Sequence, residues 1–152
     1  MSLALRTLAR TLKLDQEDRR ELRTTFGLRC VERIRALIHD EDALAALEQA
    51  LDDVTSGYPN GFANVDALAE RVWSIARSHP GSDSVDGAGH AAVSATFALA
   101  NALSGKALDA ADYAAYAAVY HYGSYAVNDP SAFEPEHSWQ VDTLRALSGG
   151  QH

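Results

Sequence analysis

Cysteine is almost absent from this 152-residue chain, in which Cys30 stands alone. A single cysteine excludes an intrachain disulfide and a metal site built from several thiolates. Cys30 follows Phe26 by four residues in a segment with helical periodicity. We therefore predict that Cys30 is a small core residue, because a nucleophilic cysteine needs an exposed and electropositive setting.

Long apolar runs are absent as well. No apolar run approaches the roughly 20 residues that a helix needs to cross a bilayer. The first residues also lack the apolar segment and the cleavage site of a secretory signal. A cytoplasmic protein without a membrane partner is therefore expected.

Strand patterns are missing too. No alternating run of Val, Ile and Thr is bounded by hairpin turns, so no strand is predicted. The hydrophobic fraction of 47% and the charged fraction of 22% are ordinary for a folded protein. Helical periodicity predicts a single all-α domain over residues 1–152, a bundle of about six or seven helices.

Catalytic motifs cannot be found in the sequence. HExxH, GxSxG, SxxK, the nucleotide-binding fingerprint and the EF-hand pattern are all absent. Glu32, Glu48 and Glu70 fall on three predicted helices, but none of them has a histidine three residues later, as the Glu-x-x-His motif of helical di-metal sites requires. An enzyme is therefore not predicted, and neither is a cofactor.

Basic residues are scarce outside the first 35 positions. Residues 1–35 hold nine Lys or Arg against five acids, whereas residues 36–152 hold four against sixteen. Nucleic acid is not predicted as a partner, because phosphate contacts need clustered Lys and Arg. The acidic part could attract a basic protein, or the basic segment could pair with it internally while the remaining acids keep the protein soluble.

Alanine, by contrast, is abundant between residues 86 and 126, where two Ala-rich stretches flank Ser104-Gly105-Lys106. Apolar residues occupy nearly every face of the first stretch, which predicts a buried helix ending at Gly105. Asp109 is the predicted cap of the second helix. We expect an antiparallel hairpin around which the other helices pack.

His90 and His121 lie almost equidistant from this turn, so we expect them to face each other across the hairpin. Two imidazoles could share a metal, a proton or a ligand. A third metal ligand would come from a loop, and the candidates are Asp83, Asp86, Glu134, Glu136 and His137. The alternative is that both histidines are structural, with backbone carbonyls or water as partners.

Three tyrosines on the second hairpin helix, Tyr113, Tyr116 and Tyr120, follow each other at i, i+3 and i+7. This spacing places them on one face. They could be a core stripe whose hydroxyl groups reach the surface. Alternatively, they could be an aromatic wall for a ligand or for a partner protein.

Apolar spacing predicts the remaining helices, each with a polar or turn-forming residue at one end. They cover residues 3–14, residues 16–38 after an Asp15 cap, a third helix from residues 39–42 to Gly57, a fourth after an Asn64 cap, and residues 136–147 with Pro135 at the start.

Three short motifs resemble those of two groups of small helical bacterial proteins. They are Phe26-x-x-x-Cys30-x-Glu32-Arg33, Leu103-Ser104-Gly105 and Trp139-Gln140. One group is the uncharacterised YjaG-like family, and the other comprises helical immunity proteins of bacterial toxin systems. The resemblance implies a non-enzymatic bundle in which these motif residues are structural, and a partner that is another protein, such as a basic toxin.

Three functions stay open from the sequence. The first is an immunity-type module that binds and neutralises a toxin. The second is a ligand- or metal-binding bundle that uses the hairpin histidines and tyrosines. The third is a self-associating structural domain, which would form a homo-oligomer.

Overall fold

The computed structural model describes residues 2–78 and 87–149. Within these two ranges the chain forms α-helices and short 3₁₀ helices and contains no strand, so the predicted all-α bundle is confirmed. None of the described helices is long and apolar enough to cross a membrane. The α-helices are α1 (Leu3–Thr11), α2 (Arg20–Arg33), α3 (Glu41–Thr55), α4 (Ala63–Arg77), α5 (Gly87–Leu103), α6 (Ala107–Tyr122) and α7 (Glu134–Leu147), and the 3₁₀ helices are Glu17–Arg19, Arg35–Leu37, Ser124–Asn128 and Pro130–Phe133.

The α5–α6 hairpin forms the centre of the bundle. Most of its alanines are buried, and its two helices make the most extensive contact in the fold. α2 packs across both helices, so closely that a Cβ atom added at Gly27 would lie 3.0 Å from Cβ of Ala102. α4 packs on α5, α3 packs on α4, and α7 lies against α1, α2 and α6. The Ala-rich hairpin is therefore the scaffold around which the other helices pack.

Several predicted helix ends are confirmed. Gly105 after α5 and Gly57 after α3 have φ values of 76° and 73°, a conformation that glycine adopts without steric cost. Asp40 caps α3 by accepting a hydrogen bond of 2.9 Å from the Ala43 amide. Pro135 lies in the first turn of α7, which begins one residue before it.

The predicted caps at Asp15, Asn64 and Asp109 are wrong. α4 and α6 each begin upstream of the expected cap, so Asn64 and Asp109 lie inside the first helical turn. In that position the Asp109 carboxylate still interacts favourably with the positive end of the α6 dipole. α2 begins only at Arg20, five residues after Asp15 and without a side-chain cap.

The first two helices are also shorter than predicted. α1 ends at Thr11, because Lys13 adopts a φ of 53° and turns the chain. The predicted helix over residues 16–38 divides into α2 and the 3₁₀ helices on either side of it. Leu14 and Ile38 lie beyond the ends of the α-helices yet are buried, so core packing of the connections overrides helical periodicity.

Candidate functional site

A row of aromatic rings runs from α5 across α6 to α7. His90 stacks on Tyr120 with 5.0 Å between ring centroids, and Tyr120 lies 6.2 Å from Tyr116. Tyr116 meets Phe133 edge to face at 5.1 Å, and Phe133 stacks on His137 at 5.7 Å. Elements that are distant in sequence therefore supply a single continuous aromatic row.

Tyr113, one helical turn before Tyr116 on α6, belongs to a second group of rings nearer the hairpin turn. It stacks on Phe97 at 5.5 Å, and Phe97 meets Trp73 of α4 edge to face at 6.0 Å. Tyr113 and Tyr116 are 39% and 41% exposed, so these two tyrosines lie at the protein surface. We define the aromatic surface as His90, Tyr113, Tyr116, Tyr120, Phe133 and His137.

An acidic cleft of about 210 Å³ opens within the aromatic surface. We define it by Asp112, Tyr116, Phe133 and His137, which line it. Burial raises the pKa of the Asp112 carboxyl group, and burial lowers the pKa of His137 against the attraction of Asp112. The cleft combines a carboxyl group with aromatic faces, a lining that favours a cationic group.

The two hairpin histidines have different surroundings. His90 is half-buried and its ring partner is Tyr120. His121 is the next residue along α6, so it points about 100° away from Tyr120 around the helix. It is exposed and borders a separate depression next to Arg33. The structure therefore gives each imidazole its own set of neighbours.

A metal ion bound by His90 and His121 would need at least one further protein ligand, and so a group of at least three. Residues 2–78 and 87–149 contain no such group of His, Cys, Asp or Glu side chains. Two of the proposed loop ligands, Asp83 and Asp86, lie outside the described residues. His137, another of these ligands, stacks on Phe133 in the aromatic surface instead.

The motif residues on α2 and α7 contact each other. Arg33 donates two hydrogen bonds to the Glu136 carboxylate, from Nε to Oε1 at 2.9 Å and from Nη2 to Oε2 at 3.2 Å. The same guanidinium lies over the Trp139 ring, 4.6 Å from its centroid. We call Arg33, Glu136 and Trp139 the α2–α7 clamp, because they fix α7 against the end of α2.

The other motif residues are buried or paired. Phe26 is fully buried and Cys30 is 1% exposed, and burial raises the pKa of the Cys30 thiol. Gln140 donates a hydrogen bond of 2.9 Å to the carbonyl of Ala111 on α6. Glu32 accepts one of 2.8 Å from an arginine one turn earlier on α2. The Gln140 bond joins α7 to α6, whereas the Glu32 bond lies within α2.

Helical spacing alone does not predict that Asp112, Phe133 and His137 complete the site. Two local signals exist. Asp112 precedes Tyr116 by four residues and therefore shares its helix face, and Phe133 precedes His137 by the same interval. The proximity of the two pairs depends on how α7 docks, which no local pattern encodes.

Comparisons of the chain with protein-family models, with curated proteins and with solved structures found no significant match. A functional assignment therefore depends on the geometry of the site and on the resemblance of the short motifs.

Proposed function

We propose that this chain is an immunity-type protein that binds and neutralises a bacterial toxin through its aromatic surface. The observation that carries the proposal is the continuous row of rings that contains the exposed Tyr116, with the exposed Tyr113 one turn earlier on the same face of α6. Tyrosine is enriched at the energetic centres of protein interfaces, where it supplies a large contact area with few rotatable bonds. Because neighbouring rings already restrict these side chains, less conformational entropy is lost on binding.

The acidic cleft supports a basic partner. A Lys or Arg side chain that enters it would meet the Asp112 carboxyl group and the faces of Tyr116 and Phe133 together. The charge distribution supports the same partner, since residues 36–152 contain the whole aromatic surface and have sixteen acids against four Lys or Arg. Complementary charge speeds association and disfavours acidic competitors.

The motif resemblance supports a toxin as this partner. Proteins that act on nucleic acid need clustered Lys and Arg to hold phosphates. A toxin that cuts nucleic acid would therefore present a basic surface. The α2–α7 clamp includes Glu136, which directly precedes His137. The α2–α7 clamp, to which the motif residues Arg33 and Trp139 belong, therefore also positions the α7 side of the acidic cleft.

The proteins encoded next to the gene of this chain are the candidate partners for a test. We expect one of them to be toxic when expressed alone, and to be neutralised when this chain is co-expressed. Isothermal titration calorimetry of the purified pair measures the Kd. Tyr116→Ala should weaken binding about thirtyfold or more, the loss typical of an interface hot spot.

Tyr122→Ala is the matched control for this experiment. Tyr122 belongs to the same helix and is 78% exposed, but it lies roughly 180° around the helix from Tyr113. This variant should keep the wild-type Kd, and it should still neutralise the toxin. A toxic neighbour that binds wild type and Tyr116→Ala equally well, with both variants folded by circular dichroism, would overturn the proposal.

Self-association through the aromatic surface is the competing outcome. Sedimentation velocity over a range of concentrations should show a monomer if the surface is reserved for another protein. A dimer that dissociates in Tyr116→Ala but persists in Tyr122→Ala would assign the surface to a second copy of the chain instead.

A further inference from the structure

A second cavity, of about 420 Å³, lies where α1 and α2 meet the turn between α5 and α6. None of its lining residues belongs to the aromatic surface. Five cationic side chains line it against two carboxylates, Asp15 and Asp109, so the lining has a formal charge of +3. We call it the basic cavity, and its cations are Arg6, Arg10, Lys13, Arg23 and Lys106.

The cations of the basic cavity lack the carboxylate partners that most of the other arginines have within the described residues. The chain has only 13 Lys and Arg against 21 acids, so each cation has many available carboxylates. Within the described parts of the chain, however, none of the five forms an ion pair with a carboxylate. The arginines that do so all lie outside the cavity: Arg20, Arg29, Arg33, Arg35 and Arg145.

Arg23 joins α2 to the α1–α2 connection at the basic cavity. Its guanidinium donates hydrogen bonds to the backbone carbonyls of Leu14, at 2.8 Å, and of Gln16. It also approaches the hairpin turn, since a Cβ atom added at Gly105 would lie 3.9 Å from its Nε. These carbonyls fix the Arg23 guanidinium without neutralising its charge, so this side of the cavity stays positive.

The start of α6 adds to the positive potential. α6 begins at Ala107 without a side-chain cap, and both Ala107 and Leu108 line the basic cavity. The free amides of the first helical turn favour negative charge nearby, although Asp109 offsets part of this effect. The cationic side chains are therefore the main source of the field, and the helix start is secondary.

We propose that the basic cavity binds a small molecule that carries two or more phosphate groups. Guanidinium groups match phosphate oxygens with paired hydrogen bonds, and a lining of net +3 exceeds what a single phosphate needs. Ala9, Leu14 and Leu108 provide apolar lining for an organic portion. The volume lies in the range of small-molecule sites in proteins. This inference is independent of the aromatic surface.

Inorganic pyrophosphate and inorganic tripolyphosphate are the probes for a calorimetric titration at low ionic strength. We expect binding at one site, with an affinity that falls as salt is added, because the attraction is mainly electrostatic. Arg10→Gln and Lys106→Gln should each weaken binding about tenfold, as expected for the loss of one charge-assisted hydrogen bond. Both side chains are exposed, so the variants should fold, which circular dichroism checks.

Arg71→Gln provides the matched control, because Arg71 is exposed on α4 and does not line the basic cavity. It should bind tripolyphosphate as wild type does. The inference would be overturned if neither probe bound. It would also be overturned if Arg71→Gln weakened binding as much as Arg10→Gln and Lys106→Gln do. Tighter binding of a single-stranded oligonucleotide without terminal phosphates would overturn it too, and would assign the cavity to a nucleic-acid backbone.

Discussion

The α2–α7 clamp should contribute measurably to stability because its ion pair is partly desolvated. The side chains of Arg33 and Glu136 are 35% and 17% exposed, and two hydrogen bonds join them. Glu136→Gln removes the negative charge, keeps the side-chain shape and leaves the guanidinium uncompensated against Trp139. We expect the free energy of unfolding to fall by about 1–2 kcal/mol, more than for a solvated surface pair and less than for a fully buried one.

Urea unfolding at neutral pH, followed by far-UV circular dichroism, measures this loss. Glu48→Gln is the matched control, because the Arg35–Glu48 pair has side-chain exposures of 46% and 49%. Its loss should not exceed about 0.5 kcal/mol, since solvent screens such pairs. Equal losses in the two variants would refute the reasoning that burial and paired hydrogen bonds strengthen the α2–α7 clamp.

Two further predictions concern packing and pH. Gly27→Val should destabilise the fold by about 1–3 kcal/mol, because the new Cβ would lie 3.0 Å from Cβ and 3.1 Å from Cα of Ala102; an unchanged midpoint of thermal unfolding would contradict this. Burial lowers the pKa of His137 below its ordinary 6.5, so the unfolded chain takes up the proton first and stability should fall as the pH drops below that value. Urea unfolding between acidic and neutral pH should show this loss in wild type and in the exposed-site variant His39→Gln but not in His137→Gln, and a loss that persists in His137→Gln would contradict the assignment.

Local signals in the sequence predict the central hairpin and one part of the site. Gly105 can adopt the left-handed conformation that ends α5, and alanine on nearly every face leaves burial as the stable arrangement. Helical spacing also places Tyr113 and Tyr116 on one face of α6. These features depend on residues within a few turns of each other, so one sequence suffices to predict them.

The remaining parts of the site arise from packing between distant segments. Phe133 reaches Tyr116 because the α2–α7 clamp docks α7, and this contact has no local pattern. The basic cavity joins Arg10 on α1 to Lys106 in the hairpin turn, so charge counts along the chain reveal an excess of cations without their convergence. Some helix ends are predicted wrongly for the same reason. At the end of α1, burial of Leu14 outweighs the local preference to continue the helix.

The central claim is that the aromatic surface contacts the toxin, and tyrosine ring signals in NMR spectra test it most directly. On titration with the toxic neighbour, we expect the ring signals of Tyr113, Tyr116 and Tyr120 to shift or broaden in proportion to complex formation, while those of Tyr122 stay unchanged. Signals of Tyr122 that respond while the three surface tyrosines do not would contradict the claim.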